Sequence, residues 1–258
     1  MPPSFPEYPR LELQMPPLEL VVCQVRFPLI LGLDERPPSD FQKMISDSYP
    51  ISRKNTATNY EIEIGSGQGP RAVLSHFWGF QDKDSIWTVS IGSNFLSLET
   101  KKYQNFNSFL ERFSGVFGIA QQLYGMKIRE RLGLRYVDRI AKSRCTELSD
   151  DWSKSIPKET IPLRSLQASN EAMLSNFETR FFFDDKVLAI RSAFKDQSVP
   201  GSGESELMLD FDCYTEMKSD LQDLGNLLRE FRDLSYRAFR WSVGDLISQF
   251  EVVKEEVR

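Results

Sequence analysis

IRERLGLRYVDRI, at Ile128–Ile140, alternates apolar and basic side chains with the two-residue period of a β-strand. The apolar members are predicted to share one face: Ile128, Leu132, Leu134, Tyr136 and Ile140. The basic members are predicted to share the other face: Arg129, Arg131, Arg135 and Arg139. Guanidinium groups donate well to phosphate or carboxylate and are costly to bury without a partner. The stretch therefore predicts a sheet with one covered face and one polar face that carries a row of arginines.

Composition places the chain among ordinary globular proteins, with 258 residues of which 40% are hydrophobic. The net charge of −5 argues against a general polyanion binder but leaves room for a local basic patch. Cys23, Cys145 and Cys213 lie far apart and are predicted to be buried thiols, which fits a reducing cytoplasm. We see no signal-peptide pattern and no apolar run that spans a membrane, so we expect a cytoplasmic protein without a membrane partner.

The first half of the chain predicts an extended arm followed by an α+β repeat. Residues 1–17 contain six prolines, which favour an extended N-terminal arm. The repeat at 18–127 is predicted to open with a buried strand at Leu18–Phe27. A short helix then begins after Ser39, and turn signals divide the next residues into an antiparallel meander. A long amphipathic helix, marked by Phe residues at helical spacing, closes the repeat.

The second half, 128–258, repeats this order. After the arginine strand, a short helix is predicted at Leu148–Ile156, and strands at Leu174–Phe183, Val187–Phe194 and Leu207–Tyr214. A long helix follows, and a final helical segment is predicted through Val257. The predicted fold is therefore α+β, with two tandem units of strand, helix, antiparallel meander and long helix. This is the element order of the duplicated fold of the TATA-binding protein, and order alone does not imply function.

Several stretches resemble a sporadically distributed prokaryotic family of uncharacterised proteins. They are PPLELVVCQVRFP at Pro16–Pro28, the Phe41-Gln42 and Tyr49-Pro50 pairs, and GLRYVDRI at Gly133–Ile140. The resemblance covers nearly the whole chain and brings no established activity or catalytic residues. The patchy distribution of the family suggests mobile or defence-associated genes.

Catalytic and cofactor motifs are weak in this sequence. The single histidine, His76, is predicted to be structural, because we can name neither a nucleophile nor an orienting acid for it. GSGQGP at Gly65–Pro70 predicts a hairpin and not a phosphate loop, because a strand pattern follows it. Glu61 and Glu63 share a strand face and are interpreted as solvated side chains. We therefore expect no cofactor and no dedicated metal site.

The polar faces of the second-half strands form the most informative constellation. Besides the arginine row, they carry Glu178, Arg180, Arg191, Lys195, Asp210 and Asp212. One interpretation is a water-facing sheet with cross-strand ion pairs, each of little energetic weight. A second is a binding surface for a phosphate-bearing ligand, a nucleic acid or an acidic partner. A third is a metal-assisted hydrolytic site that uses Glu61, Glu63, Asp210 or Asp212.

These patterns favour a protein that works by binding. The leading hypothesis is a non-enzymatic accessory or regulatory protein, in a defence or mobile-element setting, that holds a protein partner on its charged sheet face. The alternative is nucleic-acid binding by the arginine strand, and the third hypothesis is a metal-assisted phosphoryl enzyme. The candidate binding residues are Arg129, Arg131, Arg135, Arg139, Arg180 and Arg191. Apolar residues in the C-terminal helices also suggest a surface for a homo-oligomer.

Overall fold

The computed structural model describes residues 3–61, 71–145, 152–162, 174–197, 199, 201, 203–250 and 252–256. They form a mixed α+β protein with two compact units. Unit 1 contains Met1–Val21, Gly133–Glu216 and Asp223–Arg258, and unit 2 contains Val22–Leu132 and Met217–Gln222. Across the described residues, we find no helix with the length and apolar character needed to cross a membrane.

Strands and helices are numbered here in chain order. The strands are β1 (Arg10–Leu13), β2 (Leu18–Arg26), β3 (Ile51–Glu61), β4 (Arg71–Gln81), β5 (Trp87–Gly92), β6 (Phe95–Thr100), β7 (Ile128–Arg129), β8 (Arg131–Ala141), β9 (Leu174–Phe183), β10 (Lys186–Lys195), β11 (Glu206–Thr215), β12 (Ser219–Asp220) and β13 (Val252–Glu256). The helices are α1 (Leu31–Glu35), α2 (Ser39–Ile45), α3 (Phe106–Tyr124) and α4 (Leu224–Val243). Short 3₁₀ helices lie at Lys142–Arg144, Trp152–Lys154 and Gly244–Phe250.

Unit 2 is built on an antiparallel meander whose last strand lies next to β2, in the order β3-β4-β5-β6-β2. Val89 of β5 pairs with Phe80 of β4 and with Leu98 of β6, and all three side chains are buried. Helix α3 packs on this apolar face, since the ring of Phe109 stacks on Trp87 with centroids 5.9 Å apart. The prediction of a meander covered by a long helix is confirmed for this unit.

In unit 1 the strand order is β8-β11-β10-β9, and β10 pairs antiparallel with both β11 and β9. Alternate residues of β11, among them Leu209, Phe211 and Cys213, are fully buried. Helix α4 covers this face, because Phe239 meets the ring of Phe211 edge-on at 6.3 Å. The side chains between them, including Asp210, therefore lie on the opposite face, which we call the open face of unit 1.

The N-terminal arm of unit 1 is fixed by both backbone and side-chain contacts. Strand β1 pairs antiparallel with β13, with Arg10 opposite Glu256 and Leu13 opposite Val252. Tyr236 of α4 accepts a hydrogen bond from the Leu11 N–H at 3.0 Å and donates its hydroxyl to the Pro9 carbonyl at 2.8 Å. The extended arm predicted for residues 1–17 thus includes a strand that joins the two ends of the described chain.

Two element predictions are wrong. The strand predicted at Ile128–Ile140 is interrupted at Glu130, so that β7 pairs with β12 while β8 joins the sheet of unit 1. The final helical segment predicted through Val257 is shorter than expected: after α4, a 3₁₀ helix covers Gly244–Phe250, and Val252–Glu256 form strand β13 instead. Val252 and Val253 suit a strand, and its partner β1 is distant in sequence, so local periodicity did not reveal it.

Other predictions concern segments that lie partly or wholly outside the residues that the structure describes. The helix predicted at Leu148–Ile156 contains a 3₁₀ helix at Trp152–Lys154, while residues 146–151 lie outside the described residues. Glu63 and the GSGQGP hairpin also lie outside them. In each unit the last meander strand lies beside the first strand, β6 beside β2 and β11 beside β8. Duplication and likeness to the TATA-binding protein stay predictions.

Candidate functional site

The row of four arginines does not form one continuous exposed face. Arg129 is only 5% exposed and donates from Nη1 to the Met217 carbonyl at 3.1 Å within unit 2. Arg131 also belongs to unit 2, where it is half-buried and its charge acts on the Cys23 thiol. Arg135 and Arg139 belong to unit 1 and are the more exposed members. Arg129 therefore does not belong to the predicted row, because Glu130 separates β7 from β8.

The open face of unit 1 carries a connected set of charges, which we call the charged network: Arg135, Asp210, Arg191, Glu178 and Arg180. Arg135 donates to both oxygens of Asp210, from Nε at 2.8 Å and from Nη2 at 2.7 Å. Arg191 donates from Nη1 to Asp210 at 3.1 Å and from Nε to Glu178 at 2.9 Å. Arg180 donates to the other oxygen of Glu178. Each carboxylate thus joins two guanidinium groups.

Strand register explains why these residues meet. Arg191 of β10 lies directly opposite Glu178 of β9 on one side and opposite Asp210 of β11 on the other. Side chains that face each other across an antiparallel pair lie within contact distance on one face. The sequence interpretation that brought Glu178, Arg180, Arg191 and Asp210 together with Arg135 agrees with these contacts.

Burial is uneven within the charged network. The Asp210 side chain is only 4% exposed, whereas that of Arg135 is 45% exposed. Hydrogen bonding to Asp210 is the main cause that raises the pKa of Arg135. Hydrogen bonds from Arg180 and then Arg191 lower the pKa of Glu178. Both directions favour the charged forms of Arg135 and Glu178, so their ion pairs persist at neutral pH.

Arg139 forms a second, separate cluster on the same sheet. Its Nη2 donates to Glu206 at 2.6 Å and its Nη1 donates to Glu19 at 3.4 Å. These bonds, that to Glu206 first, raise the pKa of Arg139. Because the Arg139 side chain is 48% exposed, solvent screens the pair and its contribution to stability is small.

Asp138 is a titratable residue that the sequence interpretation missed. It is 4% exposed, and burial first, then the charge of Asp210, raises its pKa to about 8. Asp138 is an even number of residues from Leu134 and Ile140, so it lies on the face that was predicted to be apolar. An acidic residue at a position predicted to be apolar was the sequence signal that could have identified this buried carboxyl.

Catalytic and metal chemistry find little support in the described geometry. His76 is exposed, and its Nδ1 lies 3.1 Å from the Thr56 hydroxyl. Among the described residues, we find no group of three His, Cys, Asp or Glu side chains that could hold a metal ion. Asp210 already accepts from two arginines, so a cation there would have to displace both.

Two exposed apolar side chains lie on the open face with the charged network. Phe182 of β9 is 75% exposed and Met208 of β11 is 41% exposed. Phe182 lies two residues after Arg180, and Met208 lies two residues before Asp210, so each points to the same face of the sheet as that neighbour. Arginine, aromatic residues and methionine are enriched in protein interfaces relative to other surfaces. The open face thus combines exposed apolar side chains with charged ones.

No known family model matches this sequence, and no curated protein matches it. The resemblance to a sporadic prokaryotic family therefore stays a prediction.

Proposed function

We propose that this chain is a non-enzymatic accessory or regulatory protein that holds a protein partner on the open face of unit 1. The observation that carries the proposal is the shared location of exposed arginines with Phe182 and Met208. An aromatic anchor among pre-oriented arginines is the composition of an interface hot spot. The defence or mobile-element setting rests on the family resemblance alone.

Pre-orientation supports the role of the arginines. Asp210 and Glu178 fix the positions of three guanidinium groups, so a partner loses less side-chain entropy on binding them. Arg135 uses Nε and Nη2 for Asp210, which leaves Nη1 donors that no described residue accepts. Acidic or carbonyl groups of the partner are the matching acceptors.

The same contacts weigh against nucleic acid as the partner. The acids of the charged network offset most of the positive charge, and phosphate binding depends on net positive potential. The chain as a whole carries a net charge of −5. The arrangement thus favours a protein surface of mixed charge over a polyanion.

The proposal can be tested by affinity purification from the native host followed by quantitative mass spectrometry. Tagged wild-type chain is compared with Phe182→Ser and Arg180→Ala on the open face. The matched controls are Leu31→Ser, at an exposed apolar residue of unit 2, and Arg229→Ala, at an exposed arginine of α4. We expect one protein to be depleted at least about fivefold by both open-face variants and by neither control.

Binding of the identified protein must then be reproduced with purified components. A partner retained equally by all variants would overturn the proposal. Fluorescence anisotropy with a duplex and a single-stranded oligonucleotide tests the alternative. Affinity that falls steeply with salt and falls again in Arg180→Ala would assign the open face to nucleic acid instead.

A further inference from the structure

Unit 1 contains a cavity of about 500 Å³, whose sheet side is lined mostly by residues that alternate with the charged network along β9, β10 and β11. The apolar rings that line it are Phe5, Phe177, Phe181 and Trp241. Ile190 and Leu209 add aliphatic surface from the neighbouring strands. Cavities of this volume, lined by aromatic and apolar side chains, are typical of small-molecule sites.

Ser192 contributes a hydroxyl to this lining. It is 8% exposed and lies between Phe177 and Leu209 in a cross-strand row. Thr160, another polar residue of the lining, already donates to the Ser242 carbonyl at 3.0 Å. A hydrogen bond between a ligand and the Ser192 hydroxyl would add to the apolar contacts of the cavity.

Charge around the cavity limits the class of ligand. Glu159 and Glu178 are the charged residues among the described lining, and no lysine or arginine accompanies them there. Glu178 is already paired with Arg180 and Arg191. A carboxylate, sulfonate or phosphate ligand would therefore meet the charge of Glu159, with no lysine or arginine in the described lining to offset it. The lining therefore selects a neutral or weakly basic compound.

The N-terminal arm closes one side of the cavity. The ring of Phe5 meets Phe181 edge-on at 6.1 Å and lies 5.8 Å from Trp241. Tyr236 and Arg240 hold the arm by donating to the Pro9 carbonyl at 2.8 and 3.0 Å. The rings thus surround the space from the arm, the sheet and the helix.

We propose that unit 1 binds a small aromatic compound, neutral or weakly basic, in this cavity, with the Ser192 hydroxyl bonded to its single polar group. The site shares Glu178 with the charged network, and its test measures binding of a small probe and not of a protein partner.

The test uses two fluorescent probes of nearly equal shape and different charge. N-phenyl-1-naphthylamine is a neutral aromatic amine, and 8-anilino-1-naphthalenesulfonate adds an anionic group to the same rings. We expect the full chain to bind the neutral probe at least about tenfold more tightly than the anionic one, since the described part of the lining contains no lysine or arginine. Equal affinity for both probes, or no saturable binding of the neutral one, would overturn the proposal.

Variants locate the bound probe. Ser192→Ala removes one hydrogen bond and should weaken the neutral probe about fivefold. Ser192→Leu fills the space and should weaken it more than about tenfold, whereas Ala193→Leu, on the opposite face of β10, should leave affinity unchanged. Circular dichroism and thermal midpoints check the fold of each variant.

A deletion of residues 1–5 gives a second test that leaves the sheet untouched, because β1 begins at Arg10. Loss of the Phe5 ring should weaken the neutral probe about fivefold and quicken its dissociation. Unchanged affinity in both the deletion and Ser192→Ala would place the probe elsewhere and refute the assignment.

Discussion

Asp210 is the residue on which the charged network depends, since it is nearly buried and accepts from two arginines. Removing one member of a buried ion pair leaves the others without compensation. Solvent reaches Arg135, whose side chain is 45% exposed, and this lowers the cost compared with a fully buried pair. Asp210 is therefore both a structural residue and the one that orients the arginines.

We expect Asp210→Ala to lower the free energy of unfolding by about 1–3 kcal/mol. Urea denaturation followed by circular dichroism measures the change. The comparison variant is Glu206→Ala, which removes a partner of the more exposed Arg139 and should cost below about 1 kcal/mol. Equal losses in the two variants would show that burial of Asp210 has no energetic consequence.

Asp138 makes stability depend on pH. Its pKa is raised from 3.8 to about 8 in the folded protein, so the folded state keeps a proton that the unfolded chain loses. Between these two values, rising pH favours the unfolded chain, and the free energy of unfolding falls by up to about 1.4 kcal/mol per pH unit from this group. Asp138→Asn removes this dependence.

The Asn variant should therefore gain stability over wild type at about pH 8, and gain less at about pH 5. Urea midpoints at the two pH values give the measurement. The wild-type chain measured at the same two pH values is the reference. An equal offset of Asp138→Asn at both pH values would contradict the assignment.

For single residues, the sequence predicted which face of the sheet a side chain lies on better than it predicted whether that side chain is buried. Alternation along the strands was enough to group Glu178, Arg191 and Asp210 on one face. It assigned Arg129 to that face as well, because nothing local shows that the strand is interrupted at Glu130. It did not show that Arg135 is paired with Asp210, since pairing depends on which strands are neighbours.

Helix α3 is the element whose ends are best explained by its own residues. Asn105 precedes the helix with extended backbone, and its Oδ1 accepts from the Ser108 N–H at 2.9 Å. Gly125 ends the helix with a left-handed φ of 63°, which glycine adopts without steric cost. The helix is thus bounded by a side-chain cap and a glycine.

Asn105→Ala should lower the free energy of unfolding of unit 2 by about 1 kcal/mol, because the first turn loses its side-chain acceptor. Hydrogen exchange should also speed up at Ser108. Asn105→Asp retains an acceptor and is expected to preserve the protection of that amide. If the Ser108 amide exchanged as fast in the Asp variant as in the Ala variant, capping would be ruled out as the cause.

At the level of elements, predictions succeeded where the signal is local. The strand predicted at Leu174–Phe183 is β9 with the same bounds. Strand β13 was predicted as helix, because its apolar residues fit both periods and its partner β1 is far away in sequence. Short apolar segments take the structure that tertiary pairing imposes.

The whole molecule is assembled from an interleaved chain. Unit 1 takes three segments of the sequence and unit 2 takes two. No composition change marks Val22, Gly133, Met217 or Asp223, where the chain passes from one unit to the other. Sequence analysis divided the chain after residues 17 and 127 instead, since an interleaved path leaves no local signal.

Deletion of residues 1–13 should destabilise unit 1 selectively. It removes Phe5, the pairing of β1 with β13, and the contacts of Arg10 with Asp233 and Tyr236. Hydrogen exchange measured by mass spectrometry should quicken in α4 and stay slow in β5 and β6. A uniform increase across both units would contradict the prediction.

The pairing of β1 with β13 has a consequence for synthesis of the protein. A ribosome releases Arg10–Leu13 long before Val252–Glu256 exists, and the ring of Phe5 likewise waits for Trp241. Unit 2 can fold co-translationally to a large extent, because Val22–Leu132 is one continuous segment. The arm must remain unpaired meanwhile, which exposes a strand edge to aggregation or to chaperones until translation is nearly complete.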